Sequence, residues 1–152
     1  PSFARIKATR RIRRAMEEVI HARGHENVTA EHASTFEVTT DDYLTPAGDC
    51  ILAVDADRAP ADFDDAFVAA CREPGATITC TIAADGHEDT AVGVGHPDLE
   101  FDSERSMVGR TSDYVDDRTV MLASSLSAEG FDRDLVGALA DGADVTVTLA
   151  VE

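Results

Sequence analysis

The chain has one lysine, no tryptophan, two tyrosines, six phenylalanines and three cysteines in 152 residues. Each shortage excludes something. With so few aromatics there is no stacking platform set among basic residues of the kind that single-strand nucleic-acid binders use. An odd number of cysteines, none in a C-x-x-C pair, excludes a disulfide framework and a zinc ribbon and predicts a reducing cytosol. No apolar run approaches the roughly 18–20 residues of a membrane span, and no signal-peptide core follows the basic start, so a soluble cytoplasmic chain is expected. Catalytic signatures are missing as well: no P-loop, GxSxG elbow or H-E-x-x-H, and Gly93-Val94-Gly95-His96-Pro97 is not a G-x-G-x-x-G.

What is abundant is carboxylate. Thirty Asp and Glu face thirteen Lys and Arg, for a net charge of −17 and a pI near 4.4. Asp outnumbers Glu 19 to 11, and twelve of the thirteen basic residues are Arg. Such a surface stays hydrated and mutually repulsive when multimolar salt has shortened the Debye length to about 3 Å or less, as in a halophilic archaeon. In that setting acidity carries no information about partners. The balance is uneven along the chain. Six basic residues (Arg5, Lys7, Arg10, Arg11, Arg13, Arg14) and no acid fall within residues 1–15, against 7 basic and 30 acidic side chains in 16–152. Residues 1–15 therefore read as a basic extension ahead of one domain at 16–152 rather than as a nucleic-acid or membrane arm. A domain of this size buries roughly 68–70% of its unfolded surface and needs no staple.

Self-comparison suggests two copies of one unit, with halves at about 16–75 and 76–152. Asp42-Tyr43-Leu44 matches Asp113-Tyr114-Val115, and Cys50-Ile51-Leu52-Ala53 matches Val120-Met121-Leu122-Ala123. Phe63-Asp64 matches Phe131-Asp132, Ile78-Thr79-Cys80 matches Val145-Thr146-Val147, and Gly24-His25-Glu26-Asn27 is echoed by Gly86-His87-Glu88-Asp89. Alternation of Ile and Val with Thr at 77–84 and 144–151 predicts half-buried strands. Phe63, Phe67 and Cys71, like Phe131, Leu135 and Leu139, recur every four residues before Gly75 and Gly142, which predicts two short helices. With strands also at 17–23, 28–33, 34–39 and 50–54, and the GHEN and GHED segments as hairpin turns, the expectation is nine strands and two helices. That is a strand-rich α+β domain, drawn as a pseudo-twofold β-barrel, closed or partly closed.

The stretch from Gly24 to Asp57, GHENVTAEHASTFEVTTDDYLTPAGDCILAVDAD, resembles the archaeal family catalogued as domain of unknown function 371, through GHEN, His-x-x-Thr-Phe-Glu and Leu-Thr-Pro-x-Gly-Asp-Cys-Ile. The likeness runs from about Met16 to the C-terminus and departs at Ala53, where the family favours Gly. It implies an archaeal source and a relative, and no activity.

Candidate chemistry is read by comparing the halves. Cys50, Cys71 and Cys80 align with Val120, Leu139 and Val147, so all three read as small core residues. Asp55-x-Asp57 follows an apolar strand, yet about two Asp-x-Asp triplets are expected by composition alone and three occur. His25 and His32 would stand roughly 23 Å apart on one extended strand, so they share a ligand only if the chain turns between them. Glu37 is the informative residue, a mid-strand carboxylate where the second half has Val108. If the chain around Gly48 folds back, His32, Glu37, Thr45 and Asp49 meet, with His25 at their margin. His32, Glu37 and Asp49 would then suit a divalent metal, and the whole cluster a phosphate-bearing ligand. The expected function is a small-ligand- or divalent-metal-binding domain, with enzymatic activity left open and no catalytic residue assigned; the alternative is a non-catalytic protein or nucleic-acid interaction module, with self-association open.

Overall fold

A computed structural model describes residues 16–152; the basic segment 1–15 lies outside the described residues. In chain order it contains β1 (Met16–Arg23), β2 (Thr35–Thr39), β3 (Ile51–Ala53), α1 (Asp65–Cys71) and β4 (Thr77–Ala84). The same order follows in β5 (His87–Val94), β6 (Ser106–Arg110), β7 (Thr119–Met121), α2 (Arg133–Ala140) and β8 (Asp144–Val151), and a single 3₁₀ turn precedes each helix. The architecture is thus strand-rich α+β in two four-stranded sheets. One has the order β1-β8-β4-β5 and is antiparallel throughout; the other, β3-β2-β6-β7, joins two parallel pairs through the antiparallel β2–β6 contact.

The Ile/Val–Thr alternation of β4 and β8 does what period-2 patterns require. Ile78, Cys80 and Ile82, with Val145, Val147 and Leu149, are buried on the inner face, and the threonines point out. Phe36 and Val38 of β2 face the same core. The Phe36 ring lies across Gly109, its partner on β6, where any Cβ would come within 2.1 Å of it, and meets Phe131 edge-on at 5.2 Å. Helix α2 starts where the Asp132 carboxylate accepts the Leu135 N–H at 3.0 Å and is ended by Gly142 at positive φ just past its C-cap, while α1 ends at Cys71, before the positive-φ Gly75.

Among the described residues eight strands form where nine were expected, because 28–33 is not a strand. Its donors are spent outside any strand ladder: Val28 N–H bonds to His25 O, Ala30 has a positive φ, and the N–H groups of Glu31 and His32 both reach Asp49 O in the loop before β3 at 3.0 and 3.3 Å. GHEN is accordingly no hairpin. GHED borders one, since Asp85 and Gly86, both at positive φ, make the two-residue turn between β4 and β5 and His87 already belongs to the strand.

The hydrogen bonds also correct two alignments. Glu37 pairs with Ile51 and Val108 with Thr119, so Ile51-Leu52-Ala53 stands where Thr119-Val120-Met121 does, two residues away from the alignment read off the sequence. Cys50 therefore corresponds to Arg118: Glu37 N–H bonds to Cys50 O and Val108 N–H to Arg118 O, each at 2.9 Å. Similarly, the counterpart of Gly24-His25 is Gly95-His96. His25 and His96 each accept a backbone N–H on Nδ1 from two residues on, at 3.0 Å, and each donates its own N–H to a helix C-terminal carbonyl, of Leu139 and Cys71 respectively.

Candidate functional site

The outward face of the β2–β6 pair carries Thr35, Glu37 and Thr39 opposite Arg110, Val108 and Ser106. For an outward face it is unusually well covered: Thr39, Ser106, Val108 and the neighbouring Thr119 are buried and Arg110 is 8% exposed. The cover is the chain after β2 and after β6, which folds back to bring Cys50 beside Glu37 and Asp116 beside Arg110. Polar side chains so buried need partners.

In the second half they have them. Asp116 accepts Arg110 Nη2 at 2.9 Å and Arg118 Nη2 at 3.0 Å on Oδ2, and the Thr119 hydroxyl and Arg118 N–H at 3.0 Å each on Oδ1. Arg110 Nε donates to Thr119 Oγ1 at 2.9 Å, and its guanidinium lies 4.8 Å over the Tyr114 ring. Burial alone would raise the Asp116 carboxyl, but the hydrogen bonds from Arg118, Arg110 and Thr119 outweigh it and hold the pKa down at about 2.

The first half is different. Glu37 is 15% exposed at its side chain, and its Oε1 meets only the Cys50 thiol and Arg118 Nη1, both at 3.7 Å. The first is a weak hydrogen bond from a sulfur donor, and the second exceeds the roughly 2.7–2.9 Å of a charge-assisted hydrogen bond. Asp116 and Arg118 correspond by chain position to Gly48 and Cys50, so the tight network has no equivalent here. Burial first, then the Glu37 carboxylate, push the Cys50 thiol up to about 11.

Of the sequence-predicted residues, Glu37 lies on this face with His32 bonded to its neighbour Thr35, and the ligating atoms of His32, Glu37 and Asp49 do not all come within 4.8 Å of one another. His32 Nδ1 accepts the Thr35 N–H at 3.1 Å and lies 3.0 Å from Thr35 Oγ1, which stands on the same face as Glu37. Its structural counterpart is Ser103, whose Oγ accepts the N–H groups of Arg105 and Ser106 in the same way. Asp49 contributes its backbone carbonyl to Glu31 and His32, and Thr45 its carbonyl to Gly48. His25 is further off, lining a shallow cleft of about 240 Å³ with Arg23, Glu26 and Asp141. Asp55 and Asp57 also serve structure: Asp55 pairs with Arg23 at 2.5 Å, and Asp57 Oδ1 accepts the His21 N–H. Among the described residues, the His, Cys, Asp and Glu side chains whose ligating atoms all fall within 4.8 Å of one another are His87, Asp132 and Asp134, which are exposed and outside the predicted set. No helix among the described residues is long and apolar enough to cross a membrane.

With this geometry in place, comparison with known proteins is informative. The model of a domain of unknown function, DUF371, matches residues 20–152. The chain belongs to the DUF371 family. An uncharacterised protein of Methanocaldococcus jannaschii is 39% identical to this DUF371 chain over 136 residues, covering 90% of the chain and 100% of the relative.

Reading the DUF371 sequence one half at a time missed Arg110, Asp116 and Arg118, because they come from the second half and Cys50 was aligned with an aliphatic. A signal existed. Only seven Lys and Arg follow residue 15, and one of them, Arg110, closes the apolar stretch that becomes β6. The raised Cys50 thiol has a consequence. At pH 8 Cys50 stays overwhelmingly in the thiol form, so iodoacetamide is expected to label it slowly, and buried Cys71 and Cys80 only after unfolding. Glu37→Gln removes a carboxylate that raises the thiol and is expected to speed Cys50 labelling by about threefold or more, read by mass spectrometry.

Proposed function

We propose that this DUF371 chain binds a small polar ligand on the outward face of the β2–β6 pair, with Glu37 accepting a hydroxyl or amino hydrogen and Arg118 pairing with an acidic or phosphate group. The observation that carries this reading is the under-occupied Glu37 carboxylate, mostly buried yet 3.7 Å from each polar neighbour, beside a fully bonded Asp116. Arg118 supports it: two of its nitrogens are engaged with Asp116, while Nη1 lies free of any bond shorter than 3.7 Å and the side chain is 41% exposed. His32, Thr35 and Cys50 flank Glu37 in this reading, with Asp49 and Thr45 from the loop that leads into β3 as further ligand contacts. A divalent metal held by His32, Glu37 and Asp49 is the less favoured form of the same reading, since His32 Nδ1 is engaged by Thr35.

The reading takes the two sheets as one pseudo-twofold barrel descended from a duplication. It is supported by the repeated element order and by isolated bridges at both seams, Arg23 with Val54 and Val94 with Leu122. It places the chain in the cytoplasm of a salt-rich archaeon, where the acidic surface is at home.

The test is thermal unfolding in molar KCl against a library of hydroxy acids, amino acids and phosphate esters, with Mn²⁺ and Zn²⁺ as separate arms. A ligand at 100 times its Kd stabilises by about 2.7 kcal/mol, a rise in Tm of roughly 5–10 °C at this chain length. That rise is expected in the wild type and absent in Glu37→Val, which installs the second half's residue. No shift from any compound, or an equal shift in Glu37→Val, overturns the reading; a shift from metal alone, lost in both His32→Ala and Glu37→Val, replaces it with the metal form.

A further inference from the structure

We propose that the pocket between the first 3₁₀ turn (Pro60–Asp62) and the loop at Phe101 binds the guanidinium group of a ligand. The second half supplies the precedent. There the Arg133 side chain lies against three main-chain carbonyls, its Nε donating to Phe131 O at 3.0 Å, Nη1 to Ala30 O at 3.2 Å and Nη2 to Ala128 O at 3.0 Å. A planar fork of donors meets a set of fixed acceptors.

The first half builds the same acceptors. Phe63, Pro60 and Phe101 stand where Phe131, Ala128 and Ala30 do, and the hydrogen bonds that shape the two frames correspond. Phe63 N–H bonds to Pro60 O as Phe131 N–H does to Ala128 O, and Ala61 N–H bonds to Ser103 O as Glu129 N–H does to His32 O. The N–H groups of Asp102 and Ser103 share Asp117 O as those of Glu31 and His32 share Asp49 O. Phe101 and Ala30 are both buried and both at positive φ, 51° and 50°. What differs is the occupant. Asp65 of α1 takes the place of Arg133, and where the guanidinium would lie there is a pocket of about 280 Å³ lined by Pro60, Phe63, Asp65, Phe101 and Asp102. Among the described residues no donor is bonded to Phe63 O or Phe101 O. Charge favours a cation here. Asp65, Glu100 and Asp102 line the pocket against one guanidinium, that of Arg72, whose Nε and Nη2 are already spent on Leu99 O at 2.7 Å and Glu100 O at 3.0 Å. An ammonium is a point charge without the fork, so it satisfies the diverging carbonyls less well.

Ligand-observed NMR and thermal unfolding of the full chain in molar KCl test the site, with agmatine as the probe and cadaverine, a diammonium of the same charge, as its control. Agmatine is expected to bind the wild type at least about tenfold more tightly than cadaverine. Asp65→Arg installs the second half's own guanidinium. It is expected to lose agmatine binding and to unfold at a higher temperature than Asp65→Lys, which makes the same change of charge without the fork. The source of the guanidinium is read in a second arm: agmatine binding assigns the pocket to a small molecule, whereas binding of acetyl-Gly-Arg-Gly-amide without agmatine assigns it to an arginine side chain of a partner. A wild type that binds neither probe up to about 10 mM, or agmatine no better than cadaverine, overturns the proposal. So does an Asp65→Arg chain that binds agmatine like the wild type or unfolds no higher than Asp65→Lys.

Discussion

Gly24→Ala and Gly95→Ala are each expected to cost about 3–5 kcal/mol of folding stability, seen as a large fall in the denaturation midpoint in molar KCl at unchanged slope. A Cβ on Gly24 would lie 1.9 Å from the Leu139 carbonyl oxygen, and one on Gly95 would lie 2.0 Å from that of Cys71. Both obstacles are backbone at the end of a helix, which cannot turn aside as a side chain can. The same carbonyls accept the N–H of the following histidine, Leu139 O from His25 at 2.9 Å and Cys71 O from His96 at 3.2 Å, while Gly24 and Gly95 donate to Ala143 and Ala76. Making room therefore combines overpacking of about 1–3 kcal/mol with one or two weakened hydrogen bonds at about 0.5–1.5 kcal/mol each. Gly137→Ala is the control. It sits inside α2, where an added Cβ meets nothing within 4 Å, and should stabilise by about 0.5–1 kcal/mol. If Gly24→Ala and Gly137→Ala moved the midpoint alike, the tight crossing of chain and helix end would be wrong.

Asp116→Ala is expected to destabilise by about 3–5 kcal/mol, because it leaves the Arg110 guanidinium buried without its counter-charge. The same carboxylate sets a pH dependence. Its pKa falls from 3.8 to about 2 on folding, so the folded state favours the ionised form. The stability this contributes, about 2 kcal/mol, is fully present above pH 4 and is lost as pH falls through the window from about 4 to 2. In Asp116→Asn that part of the acid limb should flatten; an acid limb identical to the wild type would show that other carboxylates carry it. The Arg105–Asp41 bidentate pair also lowers its carboxylate, but Arg105 is largely exposed and solvent screens what it contributes.

How much of this was legible beforehand differs between local and tertiary features. The strands at 17–23, 77–84 and 144–151, the two short helices and the Glu37–Val108 contrast were readable, because alternation, four-residue spacing and a carboxylate among apolar residues are local signals. The stretch 28–33 misled, since Val-Thr-Ala-Glu-His-Ala alternates like a strand while its backbone donors are taken by Asp49 from a distant loop. The two-residue error in aligning Cys50 arose because the segment between β2 and β3 is longer than that between β6 and β7, and apolar residues on both sides permit either alignment. That displacement hid Arg118, and with it the side of the candidate site that carries the charge.

The sequence by itself determined that this is a strand-rich α+β chain with an acidic body, three cysteines and no C-x-x-C pair, and a carboxylate at position 37 where position 108 has Val, all properties of composition and short-range periodicity. The tertiary structure decided which residues meet at that carboxylate. Thr35, Cys50, Asp116 and Arg118 are gathered by strand pairing between halves and by two loops folding back over one sheet face, contacts between residues up to 81 positions apart that no short window of sequence contains.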